Sequence, residues 1–321
     1  METEAVFAGQ TAPMAEPVIC PTDNLGRENL KEWKSETWKR IDQAVHAEYM
    51  ANIVAEKILP LYGPVCEALT VPRDVIDLTD PQTVTVDEGD FTRLLEVWVQ
   101  FALTKRQLSE ANLETAVTLA TRSANFLYQG VDLLYFQGNN AVASNQLFTS
   151  KRIQIRTAPS DTGLLGAVTQ SPVPVPPTGE AGSRYGENSF AAVAQAYSQL
   201  VNAGHNGPFA LALPTSVYAD TYSPLSNTLE APADRIKAIT NHGYYATSAL
   251  PDPSVAVRTK TNPSKGLLMS LGGSTMDHVV GIHATTAFQQ EDPGGLVRLR
   301  IVIRFALRVK DNTAIVELDF E

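Results

Sequence analysis

The stretch VRLRIVIRFALRVK, residues 297–310, decides the fold. Val297, Leu299, Ile301, Ile303, Phe305, Leu307 and Val309 take every odd position. Arg298, Arg300, Arg304, Arg308 and Lys310 sit among the even ones. Strict period-two alternation predicts a β-strand with one buried face. At about 3.3 Å per residue such a strand runs on the order of 45 Å, well beyond the usual five or six residues. Its other face is strongly basic, whereas the chain carries a net charge of −10. A cationic strand in an acidic chain calls for an acidic partner.

Outward from this strand, 321 residues argue for two domains, or one with large insertions. With 44% hydrophobic and 19% charged residues, a packed core is expected. The acidic balance argues against general nucleic-acid binding. Cys20 and Cys66 have no metal-type spacing and cannot build a disulfide framework. Free thiols in a reducing cytoplasm are the expectation. No apolar run approaches ~20 residues, so no membrane span is predicted. The acidic start METEAVFAGQTAP lacks the basic region of a secretory signal.

Residues 1–23, with Pro13, Pro17 and Pro21, show no periodicity and suggest an extended arm. A helix is predicted from Leu30 to about Leu59, on Trp33, Trp38, Ile41, Val45, Tyr49, Ile53 and Ile58. Residues 64–96 hold Asp74, Asp77, Asp80, Asp87, Glu88 and Asp90 against Arg73 and Arg93. They fit a long acidic β-hairpin or, equally, a solvated loop. Leu94 to Leu103 is a strand candidate. A long helix follows from about Asn112 to Phe136, with Leu113, Ala116, Val117, Ala120, Ala124, Leu127, Val131 and Leu134 as its apolar stripe.

Four prolines keep SPVPVPPT (171–178) extended. Further helices are expected at Ser189–Val201 and Pro232–Ile239, with GPFALALP (207–214) a buried strand between them. Residues 255–291 suggest short strands and turns. Ala314 to Phe320 is expected to return as the partner of the long strand.

Catalytic signatures are missing: the chain has no GxGxxG, GxxxxGK[ST], GxSxG, HExxH or CxxC. His278 and His283 are close, but their odd spacing turns them to opposite faces of a straight strand. No catalytic residue, metal site or cofactor is expected. The basic stripe allows a phosphate ladder, but the preferred partner is the acidic segment of a neighbouring copy. Asp74, Asp77, Asp87 and Glu88 would then meet Arg298, Arg300, Arg304 and Arg308, setting register and partner choice.

The order of these parts resembles the α+β fold of tailed-phage major capsid proteins, and more specifically encapsulin, the linocin-type shell protein of bacterial nanocompartments. Four stretches carry the likeness. Asn24 to Gly63, through Leu25, Arg27, Glu28, Leu30, Trp38, Ile41, Ile58 and Tyr62-Gly63-Pro64, resembles the family's N-terminal helix. Asp132 to Gly138 is similar to the end of its spine helix. Gly204-His205-Asn206-Gly207-Pro208-Phe209-Ala210-Leu211, then Tyr218, resembles the segment opening its inserted domain. The Arg-rich strand with the Asn312–Leu318 return completes the set.

The resemblance implies a non-catalytic subunit of a closed icosahedral shell that holds a cargo enzyme by a targeting peptide. A ferritin-like protein or a peroxidase is the implied cargo class, with no nucleic acid and no membrane. It implies an extension at 1–23, an N-terminal helix at 24–63, a hairpin arm at 64–96 lying on the next subunit, a spine-helix region at 97–155, an axial insertion at 156–283 and return strands at 284–321. Ser223, Ser226, Asn227, Thr228 and Glu230 would line a five-fold pore. Trp33, Trp38, Ile41 and Ile315 would form the apolar cargo groove. A phage or prophage capsid protein is the alternative in the same architecture. A two-domain cytoplasmic enzyme is the reading from a different class.

Overall fold

A computed structural model describes residues 25–66, 68–77, 82–157, 159–178, 184–223, 230–253 and 257–321. The strands, in chain order, are β1 (Leu61–Tyr62), β2 (Thr70–Pro72), β3 (Val75–Asp77), β4 (Thr85–Asp87), β5 (Phe91–Arg93), β6 (Leu95–Thr104) and β7 (Ile153–Ile155). They continue with β8 (Val173–Val175), β9 (Phe209–Pro214), β10 (Gly243–Thr247), β11 (Ser264–Ser270), β12 (Met276–Glu291), β13 (Leu296–Val309) and β14 (Ile315–Phe320).

The decisive stretch is β13, 14 residues long, at the centre of a first sheet ordered β1-β12-β13-β6-β7. It pairs antiparallel with β12 and β6. Its odd-numbered side chains join one core with the N-terminal helix Ser35–Asn52 and the spine helix Glu114–Gln137. Trp38, Ile41, Val45 and Tyr49 face that core at helical spacing, as do Ala116, Ala120, Ala124, Leu127 and Val131. Alanines at every fourth position let the spine helix lie close to its neighbours.

The predicted helix over 30–59 is broken. It stops at Asn52 and restarts as the single turn Ala55–Ile58. The Asp132 carboxylate causes the break: it accepts hydrogen bonds from the backbone N–H groups of Val54 and Ala55, at 3.1 and 2.8 Å. These would otherwise be orphaned donors at a buried helix start. The spine helix ends at Gly138, whose φ of 55° suits glycine. A Cβ there would stand 2.4 Å from the Asp161 carbonyl oxygen.

The second sheet is ordered β10-β9-β11-β14-β8. Leu211, Leu213, Leu268, Val316, Leu318 and Phe320 pack with Val193, Ala196 and Leu200 of the helix Gly186–Asn202. Ala210, Ala212, Leu267, Met269 and Ile315 join the first core instead. The sheet is therefore buried on both faces, which is why β9 is continuously apolar. Pro174 lies in the edge strand β8, where a missing N–H is tolerated.

Two expectations fail here. Residues 257–291 contain the seven-residue β11 and a single 16-residue strand, β12, rather than only short strands and turns. The terminal strand β14 does not pair with β13; it lies between β11 and β8. The turn Asn312–Ala314 carries the chain from one sheet into the other. The expected region 284–321 is thus split between the two sheets. Cys66 is disulfide-bonded, which corrects the expectation of free thiols; Cys20, the chain's other cysteine, lies outside the described residues.

Candidate functional site

The even-numbered face of β13 is not a bare basic stripe. Register places Glu96 of β6 opposite Arg304 and Asp277 of β12 opposite Arg308. Arg308 is 1% exposed. It grips Asp277 through two bonds of 2.7 and 2.8 Å and donates a third to the Pro72 carbonyl oxygen at the base of the hairpin. Its guanidinium also lies 3.8 Å from the Tyr62 ring centroid. Arg298 pairs with Asp292 at 2.7 Å. Arg300 and Arg304 both face Glu96, at 3.6 and 3.4 Å. The expected meeting with Asp74, Asp77, Asp87 and Glu88 of a neighbouring copy is a contact between chains; within one chain each of these arginines already has a carboxylate beside it.

The described parts of 70–93 pair antiparallel, as expected of a hairpin. β2 pairs with β5 and β3 with β4. Arg73 is paired with Asp90 across its base, and the Ile76 N–H donates to the Lys310 carbonyl oxygen at 2.8 Å. Asp74, Asp77, Asp87 and Glu88 all lie on this arm. The arm also exposes apolar side chains that the charge pattern did not single out: Leu69 is 69% exposed, Val84 71%, Val86 49% and Phe91 61%.

The four residues expected to form a cargo groove are core. Trp33 and Trp38 pack edge-to-face with centroids 4.8 Å apart, and Ile41 and Ile315 are fully buried. Their apolar faces are occupied by neighbouring core side chains. Exposed apolar side chains are found instead on the edge strand β1, at Leu61 and Tyr62. Helical spacing predicts burial but does not distinguish a core from a groove.

Of the expected pore loop, Ser226, Asn227 and Thr228 lie outside the described residues, while Ser223 and Glu230 flank that gap. Tyr218, Tyr222 and Tyr244 cluster with ring centroids 5.1, 4.7 and 6.4 Å apart, and the Lys237 ammonium sits 4.8 Å from the Tyr222 ring centroid. Burial, with the Tyr222 hydroxyl bonded at 2.9 Å, pushes the Tyr218 phenol up to about 12.

His278 and His283 are used apart. The His278 ring bonds the Leu59 carbonyl oxygen at 3.0 Å, and His283 stacks edge-on against His46. Burial lowers both histidines to about 4. Among the described residues no group of three or more His, Cys, Asp or Glu could hold a metal ion. Among them, too, no helix is long and apolar enough to cross a membrane.

Two interlocked units, a long paired β12–β13 ribbon, a spine helix and a projecting hairpin define the class: this is the tailed-phage major-capsid fold, shared with a crystal structure of a virus-like particle from Pyrococcus furiosus. The two agree with a TM-score of 0.61 at 17% identity, over 88% of this chain and 100% of that one. Sequence narrows the class. Residues 158–294 match the Linocin_M18 family, described as encapsulating protein for peroxidase. The Type 1 encapsulin shell protein EncA of Myxococcus xanthus is 24% identical over 89% of this chain and 93% of its own. A diheme-cytochrome-encapsulin shell fusion protein of Kuenenia stuttgartiensis is 25% identical over 88% and 73%. The chain is similar to these encapsulin shell proteins.

Proposed function

We propose that this chain is the shell subunit of an encapsulin-type nanocompartment: a structural protein that self-assembles into a closed icosahedral container around a cargo enzyme in the bacterial cytoplasm. The hairpin arm carries this reading. A two-stranded ribbon is marginally stable by itself, yet this one holds Leu69, Val84, Val86 and Phe91 in water. Exposed apolar side chains rimmed by acidic ones mark a protein contact, and a second copy of the chain would cover them. The cargo's targeting peptide would add to the exposed edge of β1, next to Leu61 and Tyr62, by strand addition. A peroxidase or a ferritin-like protein is the proposed cargo.

Size-exclusion chromatography with negative-stain microscopy tests the assembly. Uniform hollow particles near the void volume are expected. A monomer or dimer at micromolar concentration and ordinary salt would overturn the proposal.

A further inference from the structure

A recess of about 430 Å³ opens at the edge of the first sheet, between β6, the spine helix and the turn that leads into β7. Arg122, Lys151 and Arg152 line it, all three exposed, and no Asp or Glu stands among the lining residues. No carboxylate of the described residues pairs with any of the three. Two of them rest on one aromatic ring: the Arg122 and Arg152 guanidinium carbons lie 5.0 and 4.7 Å from the Phe126 ring centroid. That contact holds each guanidinium over apolar surface and leaves its N–H donors free for a ligand. Phe101 and Leu119 extend the apolar floor. β6 adds a backbone donor. The Arg156 N–H donates to the Glu96 carbonyl oxygen at 3.0 Å, on the β7 side of β6. Strand backbone groups repeat their direction at every second residue, so the Gln100 N–H points to that same side. β7 begins only at Ile153, opposite Val99, and no strand among the described residues meets Gln100 there. Gln100 itself lines the recess.

We propose that this recess is a binding site for a small organic dianion, a compact doubly charged group carried on an apolar body. The charged end seats among Arg122, Lys151 and Arg152, with the Gln100 N–H as a backbone donor. The apolar body lies on Phe101, Leu119 and Phe126. Cations with no carboxylate among them favour a doubly charged ligand over a singly charged one. A bare inorganic anion would leave the apolar floor in water and fill little of the volume, which lies in the range of small-molecule sites. Guanidinium forks suit the oxygens of phosphate and carboxylate alike. A phosphate ester brings about −1.5 to −2 on one group, and a dicarboxylate brings a charge on each of its carboxyl groups. Both offer the same chemistry to these cations, and the test separates them. The proposal concerns the folded chain and stands whether or not the chain forms shells.

The test is isothermal titration calorimetry of the purified full chain at constant ionic strength. Phenyl phosphate and phthalate are the probes; inorganic phosphate and phenol offer the charged and the apolar half alone. Saturable binding of phenyl phosphate, of phthalate or of both is expected, and whichever binds identifies the charged group. Inorganic phosphate and phenol should each bind at least tenfold more weakly than the better probe. Arg122→Gln and Arg152→Gln should each weaken that probe at least tenfold. Both residues are exposed, so the variants are expected to fold, and an unchanged melting temperature checks this. No saturable heat from either probe, or equal affinity in the folded variants, overturns the proposal. Inorganic phosphate binding as tightly as the better probe also overturns it, reducing the recess to an adventitious anion site. Absence of binding because a neighbouring subunit fills the recess counts against it equally.

Discussion

At Asp132 one carboxylate decides where a helix stops, and it does so beside a second buried acid. Tyr49 donates its hydroxyl to Glu56 at 2.7 Å, and Asp132 is bonded to the backbone of the turn that contains Glu56. Burial pushes both carboxyl groups up to about 7 from ordinary values of 4.5 and 3.8. Between those limits the folded subunit holds more protons than the unfolded chain. The stability linked to them is therefore full below about pH 4 and is lost as pH rises through about 7. Glu56→Gln keeps an acceptor for Tyr49 and removes one titration. Its melting temperature should fall less steeply across that window than the wild type's. An identical slope would show that Glu56 is not the group concerned.

At the scale of elements, the proposed function makes the hairpin's exposed side chains, Val86 and Phe91 among them, contacts between copies rather than supports of the fold. Val86→Asp together with Phe91→Asp should change subunit stability by no more than about 0.5 kcal/mol per site, as for exposed positions generally, while abolishing particles. Circular dichroism and microscopy on the same sample decide it; normal particles would refute the role given to the arm. Element limits were legible where burial was one-sided. The spine helix, Gly186–Asn202 and Pro232–Ile239 fell close to their expected bounds because a single apolar stripe marks each. β12 was not legible, since it is buried on both faces and broken by register shifts between Val280 and Ile282, Ile282 and Thr285, and Phe288 and Gln290. The arginine alternation on β13 revealed the strand but not its partners. Glu96 and Asp277 lie far away in sequence, and only sheet register brings them alongside.

Over the whole molecule, the two units cannot be separated at the boundaries that the sequence suggested. Residues 156–283 supply β8, β9, β10 and β11, yet β14 is the strand that joins β11 to β8. A fragment of 156–283 should therefore not fold alone. Its amide spectrum should be collapsed or aggregated, and co-expression with a segment carrying residues 284–321 should restore dispersion. A well-dispersed spectrum from the fragment by itself would contradict this.

The position of β14 also sets a clock. A ribosome delivers the inserted unit's first strands long before it delivers residues 315–320, and until then β11 and β8 each offer an unpaired edge to any passing strand. Such edges invite wrong pairing, and pairings this distant along the chain are slow to form. Closure of that sheet is thus a late event for each newly made subunit. A chain whose β14 has not yet docked lacks a finished second sheet, so under the proposed function shell growth is expected to draw on subunits in which residues 315–320 are already in place.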